Sequence, residues 1–464
     1  MQRIAGAFLV SLLVASAAAA EQAFVLSTDF ATGYYSTLDL SPPYGRNVAI
    51  ASTCADAVAR IHGNRVYILG RFGCDHVQVV DGTSGATLNQ WSTGPGTNPH
   101  DIEVFAPDKA YVSNYDQTYV GIFHPQTGAS LGQIDLSSFA DADGLPEMDE
   151  MALVGNLLFV AVERLDRPGG FAASNPSYLA VIDCSTDQLV DVDPNTSGVQ
   201  GILLSGRQPI GEVNYDPVRE KIVVSEVGNF GVLDGGVEFV DPVTLAAEGF
   251  FVSEATLGGD VGPVRLYADC TGYVVISEPD FDTALVRFDW CTGGFGAACL
   301  TTSGFRLTDL EIHTDGTILV TDRDLLSPGV RLFRAPGCTE ITSGALDFGL
   351  PPNDIALFLP DTPSASPSLP PLAALRLLPA RPNPFNPATT LLFEAPAGEP
   401  VVLEILDLRG RRLATLWDGI APAQQTRLVW NGNDRSGRSL PTGQYLAVLR
   451  SSQGQSTQRL TLLR

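Results

Sequence analysis

The chain has 464 residues, which is too long for one ordinary hydrophobic core and indicates two or three domains. Its formal net charge of −24 at pH 7 argues against nucleic acids and anionic membranes as partners. The charge is unevenly distributed. Residues 381–464 contain ten Arg and six acidic side chains, a balance of +4, so the rest of the chain carries −28.

The first twenty residues have the pattern of a cleavable signal peptide. Arg3 supplies a positive charge, residues 4–14 form an apolar segment too short to span a bilayer, and Ala18 and Ala20 offer a small-residue cleavage site. We therefore expect residues 1–20 to direct export through the Sec pathway and then to be removed. The mature chain should lack a transmembrane segment and be secreted or held at the cell surface, at the outer membrane or outside it.

A short apolar segment that ends in a small or acidic residue recurs seven times after the signal peptide. The copies begin at Phe24, Val66, Ala110, Leu158, Ile222, Val274 and Ile318, at intervals of 42 to 64 residues. Each copy is followed by a second apolar strand and a turn, as in VQVVDGTSG at Val77–Gly85. Strand pairs of this kind at this period are typical of β-propeller blades.

A further strand precedes copies two to seven and should be the innermost strand of each blade. The first copy lacks such a strand, whereas a spare one, NDIALF, lies at residues 353–358. We therefore predict an all-β fold in which residues 21–358 form a seven-bladed β-propeller. Strand 353–358 would complete the N-terminal blade and so remove the exposed sheet edges.

The segment AYVSNY at Ala110–Tyr115 and the second-strand pattern V-x-V-V-D-x-x-T/S-G resemble the repeat of YVTN-type seven-bladed propellers. The resemblance implies a propeller that mostly serves to bind other molecules. Insertions at residues 167–176 and 195–207 lengthen two of the blades beyond the family's usual period.

The C-terminal part begins after a Pro- and Ser-rich segment, residues 359–379, which has the composition of a linker. Residues 380–464 alternate short strands and Gly-containing turns, which predicts a small β-sandwich. Its motifs are Asn383–Pro387, Asp407–Arg411, Trp430–Gly432, Pro441–Tyr445 and the terminal Leu463–Arg464. They are similar to the sorting domains of the type IX secretion pathway and to the Ig-like domain of flagellar hook-capping proteins. The resemblance implies an Ig-like module that delivers or anchors the protein through the secretion and sorting machinery.

Carboxylates stand at or near the start of the inner strands of several blades. Five of them come from five different blades: Asp101, Glu150, Glu212, Asp309 and Asp354. Circular closure would bring them to one mouth of the central channel, where they could bind a hard cation such as Ca²⁺. The alternative is that each carboxylate caps a turn or bonds the backbone of the next blade. His100 is the one histidine at such a position, next to Asp101.

Seven Cys occur, and none forms a CxxC pattern, so in an exported protein we expect disulfides and one remaining thiol. Cys54 and Cys74 should pair, because the start of an inner strand lies beside the end of the strand that follows it. Cys291 could pair with Cys270 or with Cys299.

The chain contains no HExxH, GxSxG or P-loop motif and no GxGxxG in a βαβ context. We therefore predict an exported, non-enzymatic propeller that binds a protein, a glycan or an ion. The alternative is a Ca²⁺-dependent hydrolase of the lactonase or phytase kind that uses the acidic mouth. Such propellers usually have six blades, whereas this sequence predicts seven. A third interpretation is a purely structural surface spacer.

Overall fold

The computed structural model describes residues 21–193, 195–267, 270–359, 376–378, 380–395, 400–407, 411–420, 426–435, 437–451 and 454–464. The chain forms two compact units, Met1–Ser366 and Pro367–Arg464. The predicted signal peptide and residues 360–375 of the predicted linker lie outside the described residues. Within the described ranges, a helix with the length and apolar character needed to cross a membrane is absent.

The first unit is a seven-bladed β-propeller, as the sequence predicts, and each blade is an antiparallel sheet. Blade 1 begins with β1 (Gln22–Thr28), β2 (Gly33–Asp39) and β3 (Arg46–Thr53). Blade 2 contains β4 (Ala57–His62), β5 (Arg65–Gly70), β6 (His76–Asp81) and β7 (Thr87–Ser92). Blade 3 contains β8 (Pro99–Ala106), β9 (Lys109–Asn114), β10 (Tyr119–Phe123) and β11 (Ser130–Asp135).

The remaining four blades follow in chain order, with a short 3₁₀ helix (Ser137–Phe139) before blade 4. Blade 4 contains β12 (Met148–Val154), β13 (Leu157–Val162), β14 (Tyr178–Asp183), β15 (Gln188–Leu189) and β16 (Ile202–Leu203). Blade 5 contains β17 (Val213–Asp216), β18 (Lys221–Glu226), β19 (Gly236–Asp241) and β20 (Ala246–Ser253), followed by helix α1 (Glu254–Leu257). Blade 6 contains β21 (Asp260–Leu266), β22 (Thr271–Ser277), β23 (Thr283–Asp289) and β24 (Gly294–Thr302). Blade 7 contains β25 (Leu310–Ile312), β26 (Thr317–Asp322), β27 (Gly329–Arg334), β28 (Thr339–Glu340) and β29 (Leu346–Asp347).

The ring is closed by β30 (Pro352–Phe358), which supplies the inner strand that blade 1 otherwise lacks. It pairs antiparallel with β1, so that Phe24 faces Ala356 and Gln22 faces Phe358. The Phe358 ring is fully buried and meets the Phe24 ring edge-on at 6.4 Å between centroids. The pairing joins the two ends of the propeller sequence, as expected for strand 353–358.

In blades 2, 4, 5 and 6, the turn between the third and fourth strands is organised by an Asp at the end of the third strand. The Asp81 carboxylate accepts the backbone N–H groups of Thr83 and Ser84, at 3.2 and 2.9 Å. Asp241 and Asp289 do the same in blades 5 and 6. This local hydrogen bonding explains why the repeat V-x-V-V-D is followed by a turn rather than by more strand.

The hydrophobic core lies between neighbouring blades, because both faces of each sheet are covered. One buried cluster, for example, joins Tyr111 and Val120 of blade 3 to Leu158 and Val160 of blade 4. Stacking of this kind requires near-continuous apolar strands, as the sequence shows.

Three disulfides connect cysteines of the propeller. Cys54 and Cys74 are joined with their Cα atoms 6.3 Å apart, the pair that strand geometry predicts. Cys270 pairs with Cys291, one of the two partners left open for Cys291, and Cys299 pairs with Cys338. The remaining thiol, Cys184, is buried.

The second unit is a small β-sandwich. Its strands are β31 (Arg376–Leu377), β32 (Thr389–Glu394), β33 (Pro400–Leu406), β34 (Arg412–Ile420), β35 (Thr426–Trp430), β36 (Gly443–Ser451) and β37 (Gly454–Leu462). One sheet has the order β31-β32-β35 and the other β34-β33-β36-β37. The two sheets share one core, which includes Phe393 and Trp430 of the first sheet and Ile405 and Leu449 of the second.

Candidate functional site

One end of the propeller carries most of the features that could serve a function, and we call it the mouth face. It is the end at which the inner strands begin. It consists of the loops between the second and third strands of each blade together with the connections from one blade to the next. The inner strands β4, β8, β12, β17, β21, β25 and β30 lead from it along the central channel.

Arg60 on β4 connects three blades at this end of the channel. Its Nε donates to Asp101 Oδ1 at 2.7 Å, and its Nη2 donates to Glu150 Oε1 at 3.1 Å. Both carboxylates thus share one guanidinium. The arrangement neutralises part of the acidic cluster from within and holds blades 2, 3 and 4 at fixed distances.

Arg265 on β21 has the equivalent role on the other side of the channel. It forms ion pairs with Glu212 of blade 5 and with Glu311 of blade 7, the second at 2.8 Å. Its guanidinium thus supplies counter-charge to acidic side chains of blades 5 and 7.

Four of the five predicted site residues accept a backbone N–H from the next blade. Asp101 Oδ2 accepts from Met151 at 2.7 Å, and Glu150 Oε2 accepts from Val213 at 2.7 Å. Asp309 Oδ2 accepts from Ile355 at 2.6 Å, and Asp354 Oδ2 accepts from Ala59 at 2.9 Å. The fifth, Glu212, is held by Arg265. These carboxylates therefore join each inner strand to its neighbour, which is the alternative role that the sequence allows.

The convergence that a Ca²⁺ site requires is absent among the described residues. There, only Cys270, Asp289 and Cys291 bring three potential ligand atoms within 4.8 Å of one another, and the two cysteines are joined in a disulfide. Four of the five predicted ligands are engaged by a backbone N–H of the adjacent blade, and Glu212 is paired with Arg265. These hydrogen bonds favour the inter-blade role, and Ca²⁺ binding by the ring stays a prediction.

The remaining charge of the channel raises the pKa of several carboxyl groups. Burial and the nearby Asp101 carboxylate raise the pKa of Glu103 to about 8. Burial also raises the pKa of Glu150 to about 7, although Arg60 opposes the shift. Burial and the neighbouring Asp354 hold the pKa of Asp309 well above its ordinary value. Part of the channel is therefore protonated at neutral pH.

We expect the free energy of unfolding to decrease as the pH rises. A carboxyl group whose pKa is raised by folding contributes stability that is complete below its unfolded pKa, about 4.3 for Glu, and lost as the pH passes the raised value. Glu103→Gln removes one such group and should flatten the dependence by up to about 1.4 kcal/mol per pH unit between pH 5 and pH 8. Urea unfolding at pH 5, 6.5 and 8 measures this slope. The control is Glu220→Gln, in an exposed turn. Equal slopes for the two variants would contradict the assignment.

A second cluster surrounds His100, the histidine that stands out in the sequence. Its Nδ1 lies 2.7 Å from Asp149 Oδ1, and its ring stacks on Tyr115 with 4.2 Å between centroids. Glu163 lies beside them and is 1% exposed. Burial and the adjacent Asp149 charge hold the pKa of Glu163 well above its ordinary value. The cluster can retain a proton on Glu163 beside an ionised Asp149.

The mouth face also presents a ring of exposed apolar side chains. Six of the seven loops between second and third strands carry one or two of them, which are 52% to 94% exposed: Phe30, Phe72, Phe171, Phe230, Phe281, Leu325 and Leu326. In the seventh, Tyr115 occupies the loop and packs on His100. Phe305, in the connection to blade 7, is 56% exposed on the same face. Large apolar side chains that are exposed in the same loop of several blades are typical of an interaction surface.

Three phenylalanines of this apolar ring also have an unusual backbone conformation. Phe30, Phe171 and Phe281 have φ values of 65°, 62° and 67°. A bulky residue in this left-handed region costs about 1–2 kcal/mol relative to its ordinary conformation. Each loop fixes the conformation through hydrogen bonds, such as that from Phe281 N–H to the Glu278 carbonyl at 2.8 Å. Exposed phenylalanines in strained backbone conformations do not stabilise the hydrophobic core. Their presence indicates a role other than stabilising the fold.

A cavity opens at the opposite end of the channel. It has a volume of about 370 Å³ and is lined by blades 5, 6 and 7, including Tyr215, Tyr267, Arg219 and His313. Arg219 is already engaged with Asp216, the Tyr267 carbonyl and the Trp290 ring. The cavity is therefore separate from the mouth face.

Sequence reasoning recognised the carboxylates but overlooked the ring of exposed apolar residues. A signal for that ring exists, since Phe30, Phe72 and Phe281 each follow a recurring apolar segment by a few residues. The role of Arg60 left no signal, because its partners lie 41 and 90 residues further along the chain.

No protein-family model matches the chain, and no curated protein matches its sequence. Solved structures share its fold at low identity. A candidate 6-phosphogluconolactonase from Bacteroides fragilis is 15% identical over 73% of this chain and 98% of that one, with a TM-score of 0.50. AztD from Citrobacter koseri is 12% identical over 73% of this chain and 98% of that one, with a TM-score of 0.48.

PorZ, a surface component of the type IX secretion system of Porphyromonas gingivalis, is 13% identical over 93% of this chain, with a TM-score of 0.43. This chain spans 64% of the length of PorZ. These neighbours are β-propeller proteins, and the sheets of the first unit have the same architecture.

Proposed function

We propose that this chain is an exported, non-enzymatic recognition scaffold whose propeller binds a protein partner through the mouth face. The observation that carries the proposal is the ring of exposed apolar side chains, which occurs in six of the seven loops between second and third strands. Aromatic residues are enriched at the centres of protein–protein interfaces, whereas solvent-exposed faces rarely collect them. The second unit would deliver or anchor the protein, as its similarity to sorting domains implies.

Two features support export. The three disulfides fit an oxidising compartment, since such bonds are rare in the cytosol. The N-terminal residues have the composition of a signal peptide. Both agree with a protein that works outside the cytoplasm.

A hydrolase remains the second candidate because of one observation, the His100–Asp149 pair beside the buried Glu163, whose pKa is raised by burial. A His–carboxylate pair can act as a general base. The carboxylates that would have to hold Ca²⁺ are instead engaged with Arg60, Arg265 and the backbone of the next blade. We therefore rank this function below binding.

Photo-crosslinking tests the proposed function. A benzoylphenylalanine at position 281 of the mature protein, added to cells of the producing bacterium, should yield one discrete protease-sensitive adduct. The same group at position 295 is the control, because Phe295 is 55% exposed but lies on the outer strand β24. An adduct of equal yield from both positions, or one sensitive only to glycosidases, would contradict a protein partner on the mouth face.

Substitution of the ring separates binding from stability. For this test the benzoylphenylalanine is moved to position 230. Adding Phe281→Asn to that variant should abolish its adduct. It should leave the unfolding free energy unchanged or raise it by up to about 1 kcal/mol, because Asn tolerates a positive φ. Val218→Asn, at an 85% exposed residue of the opposite face, is the matched control and should leave the adduct intact. Loss of stability in Phe281→Asn would show that the residue serves the fold.

A further inference from the structure

The mouth face is strongly acidic as well as apolar. The loops and blade connections that form it contain seventeen acidic and six basic side chains, a formal balance of −11. Much of this negative charge stands beside the apolar ring. Asp29 precedes Phe30, Asp280 precedes Phe281, and Asp324 precedes Leu325.

Two of the acidic side chains next to the ring, Asp29 and Asp324, have lowered pKa values. Backbone hydrogen bonds from Thr32 and Ala31 hold the pKa of Asp29 below its ordinary value, and those from Leu326 and Ser327 do the same for Asp324. Asp29 is therefore available to a cationic partner at neutral pH, whereas Asp324 is already paired with Arg306.

The arginines of this face are largely occupied within the protein. Arg71 pairs with Asp56, Arg167 pairs with Asp116 and Glu147, and Arg306 pairs with Asp322 and Asp324. Arg323 lies over the Phe30 ring at 4.7 Å. The surplus of carboxylates therefore determines the electrostatic potential that an approaching molecule meets.

This potential disfavours several occupants. A second copy docked face to face would bring two surfaces of balance −11 together, and like charges at an interface cost several kcal/mol. An anionic membrane is repelled in the same way. A neutral glycan could stack on the phenylalanines and donate hydroxyl hydrogen bonds to the carboxylates, but it carries no positive charge to balance the negative surplus. A basic protein surface can contact the apolar side chains and also pair with the carboxylates.

We infer that the partner is a protein whose contact surface carries Lys and Arg around shallow apolar recesses. The recesses receive the phenylalanines and leucines of the ring, and the cations pair with the adjacent carboxylates. This inference rests on the proposed function and specifies the chemistry of the partner at that same face.

A phage-displayed library of random dodecapeptides, panned on the full mature chain at 150 mM NaCl, tests the inference. We expect the selected peptides to be enriched in Arg and Lys together with aromatic residues. Synthetic copies should bind about tenfold more weakly to Phe281→Asn and about as tightly to the Val218→Asn control. They should also bind several-fold more weakly to the double variant Asp29→Asn, Asp280→Asn, and at 500 mM NaCl.

Different results would contradict the proposed function and the inference about the partner's charge. Peptides that bind the mouth face, lose affinity in Phe281→Asn, but show no excess of basic residues and no salt dependence would overturn the inference while supporting the proposed function. Peptides unaffected by Phe281→Asn, or a library that yields no binders, would overturn both. The double Asp→Asn variant should fold, because Asn can accept the hydrogen bonds that these turns donate to Asp29.

Discussion

A chain that comprises residues 21–349 will fail to unfold as one cooperative propeller, because it lacks β30. That strand supplies the inner edge of blade 1 and buries Ile355 and Phe358 in two different inter-blade clusters. Removing buried side chains of this size costs about 2–5 kcal/mol each, in a domain whose total stability is on the order of 5–15 kcal/mol. The exposed edge of β1 would also promote aggregation.

The matched control is a chain of residues 21–366, which keeps β30 and omits only the second unit. It should show a single sharp thermal transition by circular dichroism, whereas residues 21–349 should show a broad one or precipitate. If both chains melt at the same temperature with the same sharpness, closure by β30 is unimportant for stability. The comparison separates the closing strand from the rest of the C-terminal part.

Asp101→Asn will destabilise the propeller by about 2–4 kcal/mol in metal-free buffer. Asp101 Oδ1 accepts from Arg60 and from the Ile102 N–H, and Oδ2 accepts from the Met151 N–H. In the Asp101→Asn variant an NH₂ group replaces one of the two accepting oxygens. This NH₂ group would then face another hydrogen-bond donor, and that hydrogen bond would be lost. Arg60 also loses the closer of its two carboxylate partners.

Denaturation with urea, with and without 5 mM Ca²⁺, distinguishes this inter-blade role from a metal site. Ca²⁺ should leave the midpoint unchanged in the wild type and in the variant. Asp29→Asn is the control at an exposed turn and should alter stability by less than about 0.5 kcal/mol. A variant more stable than the wild type, together with Ca²⁺ stabilisation of the wild type by about 2.7 kcal/mol at a hundredfold excess over Kd, would restore the ion hypothesis.

Much of the fold follows from local patterns in the sequence. The recurring apolar segments give blade number and strand order, because a strand buried on both faces must be apolar throughout. The missing inner strand before Phe24 and the spare one at 353–358 imply the closure that pairs β1 with β30. Strand adjacency within one blade likewise suffices to pair Cys54 with Cys74.

The candidate site was only partly accessible from sequence. Alignment of the inner strands places Asp101, Asp309 and Asp354 at one end of the channel, but it carries no information about where each carboxylate points. The direction depends on the twist and packing of the next blade, whose backbone N–H groups are 46 residues distant for Asp309 and 295 for Asp354.

The sequence by itself therefore determined the repeat, the closure and the acidic residues at the mouth face, since the same strand pattern recurs along the chain and its one missing strand is matched by one spare strand. Tertiary structure alone decided which carboxylates are neutralised by Arg60 and Arg265, and it alone showed that Phe30 and Phe281 remain exposed. A hydrophobic residue near a strand end can be covered by a neighbouring loop or remain exposed to solvent, and the local sequence is the same in both cases. Only the packed ring of blades distinguishes the two outcomes.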